Sequence, residues 1–146
     1  AGIGFRMQHA LLRLILNQPE KAREVFETCS AFRRGVSEEE TFQAANARLF
    51  LGYLYLAEGD ESALSDLVEI SKSLPATAMS EGETMLYRLL SEDRKQPRDV
   101  EQLQQILRVV QTGLLIGQIF LPLSFTKTMN NILSKCYLKP IKNMVS

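Results

Sequence analysis

The sequence predicts an all-α protein of antiparallel helical hairpins, and three observations carry that expectation. Apolar residues make up 45% of the 146 and recur at helical spacing, with no alternating run of the kind a half-buried strand needs. Glycine and proline are sparse, with 8 and 5, and fall mainly between the periodic segments. Three turn-and-helix segments can also be laid on one another: NQPEKAREVFETC from Asn17, EGDESALSDLVEI from Glu58 and KQPRDVEQLQQIL from Lys95. The Gln18-Pro19 and Gln96-Pro97 pairs flank the Gly59-Asp60 turn at nearly equal distances, as a repeat would place them.

The elements follow in order. Phe5 to Leu16 is apolar almost all round and reads as a first helix, broken by Asn17-Gln18-Pro19. Proline suits the first turn of the next helix, because its missing N–H would be unpaired there anyway. That second helix is expected from Pro19 to Arg34, with Ala22, Val25, Phe26, Cys29 and Phe32 on one stripe and Gly35 as its stop. Ser37-Glu38-Glu39-Glu40 reads as a capping box, and three acids in a first turn suit the positive end of a helix dipole. The third helix runs through Phe42, Ala45, Leu49, Leu51, Gly52 and Tyr55 to Glu58. Gly59 ends it and Asp60 caps the fourth, Glu61 to Leu74, which carries Ala63, Leu64, Leu67, Val68 and Ile70 before Pro75 stops it.

Thr77 to Ser80 reads as a loop and Glu81 to Glu92 as a fifth helix with Met85, Leu86, Leu89 and Leu90. A long sixth helix is expected from Pro97 to Leu121, ended by Pro122, and a seventh from Thr126 to Leu138. The whole chain is read as one domain, residues 1–146, with hairpins at about 5–34, 37–75 and 81–121 and a closing helix at about 126–138. Its opening Ala-Gly-Ile-Gly, with neither a methionine nor a basic-then-apolar leader, reads as a piece of a longer protein.

Charge is balanced overall and uneven locally. The formal net charge is zero, so the chain lacks the basic footprint of a nucleic-acid binder. From Ser37 to Glu69 there are eight acids against the single base Arg48. From Thr126 onward there are four lysines, Lys127, Lys135, Lys139 and Lys142, and no acid. Charge runs are usually solvated faces; the sharper reading is an acidic surface and a basic tail that meet different partners, or each other. Val109 to Phe125 is shorter than the roughly 20 apolar residues of a membrane span, and Gln111, Gln118 and Pro122 interrupt it. Its Gly113 and Gly117 therefore read as the close-packing face of a buried helix, with no membrane span. Cys29 and Cys136 fit no metal spacing, and Cys29 falls on the buried stripe, which favours a reducing, cytoplasmic setting.

Catalysis finds no support. His9 is the only histidine and sits in an apolar helix without a partner to orient it. There is no glycine-rich phosphate loop, no nucleophile-base set and no metal-ligand spacing, so neither an enzyme nor a cofactor is expected.

The second hairpin resembles the tetratricopeptide repeat. Leu51-Gly52 followed by Tyr55 matches L-G-x2-Y of that pattern, and Gly59-Asp60 lies at the turn. Ala63 with Leu67 resembles A-x3-F, as Ala22 with Phe26 does in the first hairpin, and Pro75 lies at the closing proline. Arg48 takes the position of the family's tryptophan, and the third copy has Val100 and Gln104 at the small and aromatic positions. The resemblance implies hairpins stacked as a short right-handed superhelix; a HEAT-like repeat and an irregular helical bundle stay open as alternatives.

The resemblance further implies a concave face lined by the first helix of each hairpin. Here that means Met7, Leu11 and Leu14, then Asn46, Leu49, Tyr53 and Leu56, then Met85 and Leu89, with Tyr53 expected to contribute most. Such a face would take a helix or an extended apolar segment of a partner protein, making the chain a scaffold or adaptor. A dedicated chaperone and a ligand-sensing domain are the alternatives, and an uncovered apolar face would also favour homo-oligomers.

Overall fold

In a computed structural model of the chain, residues 2–91 and 97–114 are described, and all of their regular structure is helical. The helices are α1 (Ile3–Ile15), α2 (Pro19–Cys29), α3 (Glu38–Glu58), α4 (Glu61–Ser73), α5 (Glu81–Ser91) and α6 (Pro97–Leu114), with a 3₁₀ turn at Ala76–Ala78 before α5. The seventh helix expected at Thr126 to Leu138, and the expected continuation of α6 to Leu121, lie outside the described residues. Among the described residues no helix is long and apolar enough to cross a membrane.

The first two hairpins close in the same way. After α1, Asn17 takes the left-handed conformation (φ 58°), its N–H bonds Leu14 O, and the Gln18 N–H bonds Arg13 O. After α3, Gly59 does the same (φ 71°): its N–H bonds Leu56 O, and the Asp60 N–H bonds Tyr55 O. This paired closure satisfies carbonyls that would otherwise be orphaned at the helix end, and left-handed backbone selects Asn or Gly there. Pro19 then opens α2, and Asp60 caps α4 by accepting from the Ala63 N–H at 3.1 Å.

One boundary moves by several residues and one cap is differently made. The second helix stops at Cys29 rather than Arg34, and Gly35 turns a loop (φ 77°) instead of capping a helix. The Ser30 carbonyl at this early end is taken by Arg48 at 2.8 Å. At α3, Ser37 accepts from the Glu40 N–H at 3.2 Å, but the Glu40 carboxylate pairs with Arg33 at 3.1 Å and not with the Ser37 backbone. The complete reciprocal capping box opens α5 instead: the Glu83 N–H bonds Ser80 Oγ at 3.1 Å and the Ser80 N–H bonds Glu83 Oε1 at 3.2 Å.

The helices gather around α3. Every residue from Gln43 to Tyr55 is buried, so α3 has no solvent face along that stretch. It packs against α1, α2, α4, α5 and the 3₁₀ turn, and α1 also touches α6. Phe26 of α2 stacks on Phe50 with ring centroids 5.3 Å apart, and Ala22 beside it is fully buried. Tyr55 is buried against α2 and its hydroxyl donates to Glu27 at 3.2 Å. Gly52 has α5 directly over it, with the Leu86 side chain where a Cβ would stand and Leu67 of α4 beside that position.

One ion pair crosses this core. Arg48 Nε donates to Glu83 Oε2 at 2.7 Å and Nη2 to Glu83 Oε1 at 3.1 Å. Nη1 donates to the carbonyl of Ser30 and Nη2 also to that of Ala78, each at 2.8 Å. Both side chains are nearly solvent-free, at 2% and 3% exposure, and four of the five guanidinium N–H groups find acceptors, which offsets the desolvation of the pair. It ties α3 to the α2–α3 loop, the 3₁₀ turn and the first turn of α5.

Candidate functional site

A groove of about 750 Å³ lies between the first half of α3, the start of α5 and one face of α6. Helix periodicity builds each wall. Glu39, Phe42, Gln43 and Asn46 stand three and four apart on α3, and Gln102, Gln105, Ile106, Val109 and Val110 do so on α6. The floor comes from Gly82 and Met85 of α5. Gly82 matters by what it lacks: a Cβ there would stand 2.5 Å from Leu49 Cδ2 and 3.0 Å from Ile106 Cγ2. Without a side chain, α5 can nest between α3 and α6.

The groove is apolar with a polar rim. Phe42 and Val109 are 52% and 71% exposed, unusually open for residues of their size. Glu39 and Glu81 stand at the rim, and no Lys or Arg is among the described residues that line it. Gln43 Nε2 donates to Glu39 at 2.9 Å, while Gln43 Oε1 and both polar atoms of the fully buried Asn46 carboxamide have no hydrogen-bond partner.

The nine residues implied for a concave face part company. Asn46 and Met85 line the groove. Met7, Leu11, Leu49 and Tyr53 are in the core, at 0–2% exposure, because α3 is enclosed rather than set along an open surface. Leu14 and Leu56 are half-buried against the same core. The Leu89 side chain lies outside the described ones. Phe42, Gly82, Ile106 and Val109 complete the groove. The helical spacing that carries Phe42 was legible, but spacing alone does not separate a core face from an open one.

The groove offers apolar contact surface and rim carboxylates. His9 is exposed on α1 and accepts from Arg13 Nε at 3.0 Å, far in sequence from any groove residue. Among the described residues no group of three His, Cys, Asp or Glu could hold a metal ion. A second concavity, of about 480 Å³, lies where Arg6, Cys29, Arg33 and Glu40 meet. Burial pushes the Cys29 thiol above its usual range, which leaves it protonated and inert. No family model matches the chain, and no curated protein or solved structure matches it.

Proposed function

We propose that this chain is a non-catalytic protein-interaction module whose α3–α5–α6 groove takes a helical or extended apolar segment of a partner, one that carries basic residues. The observation that carries the reading is the pairing of exposed Phe42 and Val109 with two rim acids, around a groove with no described base. Apolar anchors would supply affinity and the acids would select the partner's charge and speed its approach. The resemblance of the first two hairpins to tetratricopeptide repeats supports the same class of use, though at a different surface from the one that resemblance implies.

The test is recovery of a partner from cell extract with the native chain and with Phe42→Asp or Val109→Asp. Both sites are exposed, so the variants are expected to melt within about 0.5 kcal/mol of native stability. A stoichiometric partner lost with both variants is the expected result, with binding weakened by roughly 1–3 kcal/mol as for a moderate hot spot. A partner retained by both would sink the reading.

A further inference from the structure

Several acids elsewhere on the same stretch of chain are engaged: Glu40 pairs with Arg33, Glu58 with Arg23 at 2.7 Å and Glu69 with Lys72 at 3.0 Å, while Asp60 caps α4. Glu38 and Asp66 are exposed without a cationic partner among the described residues, and so are Glu39 and Glu81; what sets the last two apart is their place at the groove. Both are exposed at the groove, and among the described residues neither has a cationic partner; the bond Glu39 accepts comes from the neutral Gln43. Their place in a first helical turn explains why acids are tolerated there. It does not explain why they flank an apolar groove with an unpartnered carboxamide in its wall.

The chain holds a segment of complementary chemistry. Residues 126–142 contain Lys127, Lys135, Lys139 and Lys142 without an acid, and Met129, Ile132, Leu133 and Tyr137 fall at helical spacing among them. The described part of α6 stops at Leu114, and Val109 and Val110 just before it line the groove.

We propose that residues 126–142 of this same chain dock in the α3–α5–α6 groove, their apolar side chains against Phe42, Ile106 and Val109 and their lysines toward Glu39 and Glu81. The chain thus carries its own competitor for a partner's segment. This rests on the reading that the groove accepts a basic, apolar segment.

The experiment uses the whole chain and its native Cys136. Gln102, Gln105 and Val109 are exposed on the groove side of α6, so cysteine at any one of them leaves the core intact. Cys29 is buried and does not compete. Each variant is treated with a short bismaleimide and its products are sized after denaturation. An intrachain link at one or more of the three positions is expected, abolished by Cys136→Ser. Glu39→Lys with Glu81→Lys should lower its yield about threefold at low salt and much less at high salt. Adding Lys135→Glu and Lys139→Glu should restore it.

A link between two chains would assign the groove to a second copy, and no link at any position would leave it to other proteins; either result overturns the proposal. Phe42-dependent capture of a partner without an intrachain link would overturn this proposal alone. An intrachain link together with Phe42-independent capture would keep the docking and overturn the interaction reading instead.

Discussion

Two buried polar side chains of α3 stand two residues apart and meet opposite fates. A two-residue step turns about 200° around a helix, so Asn46 and Arg48 look out of opposite sides of α3. Arg48 is held by a carboxylate and two carbonyls drawn from three other parts of the chain. Asn46 is equally buried and its carboxamide bonds nothing. The difference separates two regions. On the Arg48 side the neighbouring segments converge and the buried guanidinium and carboxylate pair with each other. On the Asn46 side a groove opens between α3 and α6 over the start of α5, and a desolvated amide without partners costs about 1–3 kcal/mol. A polar residue inside a helix bundle can therefore be a clamp or a mark of an incomplete surface, and its bonds tell which.

The largest test of this contrast is at the clamp. Glu83→Ala removes the carboxylate from a buried guanidinium and half of the α5 cap, and should lower stability by about 3–5 kcal/mol in chemical denaturation. Arg48→Met with Glu83→Met should recover most of that loss, because it removes both charges together. A Glu83→Ala loss below about 1 kcal/mol would show the two sides of α3 to be equivalent after all. Tyr53→Ala should cost a similar amount, about 3–5 kcal/mol, with partner capture per folded molecule unchanged. Loss of capture without a fall in melting temperature would restore Tyr53 to a binding role. Gly52→Leu should cost about 3 kcal/mol or more and can prevent folding, because the new side chain overlaps Leu86.

A smaller effect is set by pH on the closed side. Burial, then the neighbouring Glu27 carboxylate, pushes the Tyr55 hydroxyl up from 10.0 to about 12. Below pH 10 both folded and unfolded chains keep the phenol proton, and the stabilisation is fully present. Between about 10 and 12 only the unfolded chain gives it up, so stability falls as pH rises, by up to about 3 kcal/mol in all. Tyr55→Phe should flatten that limb of a stability–pH curve at a cost of about 1 kcal/mol near neutrality. The smallest effect belongs to the open side. Asn46→Leu removes unpaired polar atoms without emptying the site, and should leave stability unchanged or raise it by up to about 1 kcal/mol. A marked loss would mean that the carboxamide already has an occupant to bond.

Much of the helix layout was legible because its signals are local. Ser37, Gly59, Asp60 and Pro19 act within one turn of themselves, and each stands at the boundary the sequence assigns to it. The errors are also instructive. Phe32 continues the α2 stripe, so periodicity carried that helix to Arg34; the chain leaves it at Cys29, where Ser30 supplies a carbonyl to a distant arginine. Ser80 is loop, as the sequence reads, but its capping role was missed although Ser-Glu-Gly-Glu is a capping box in sequence as well as in space. The groove was only partly legible. Asn46 and Met85 were picked out, whereas Phe42 was read simply as an apolar position of its helix.

What the sequence by itself determined is where helices start, stop and reverse, because caps, left-handed closures and apolar periodicity act over three or four residues. Tertiary structure decided which apolar faces are core. Tyr53 and Phe42 carry the same kind of side chain on the same helix, yet Tyr53 is enclosed and Phe42 is half open, according to which neighbours stand across from each. That choice depends on helices brought together from far along the chain, with Gly52, Gly82 and the Arg48–Glu83 pair setting how closely they approach.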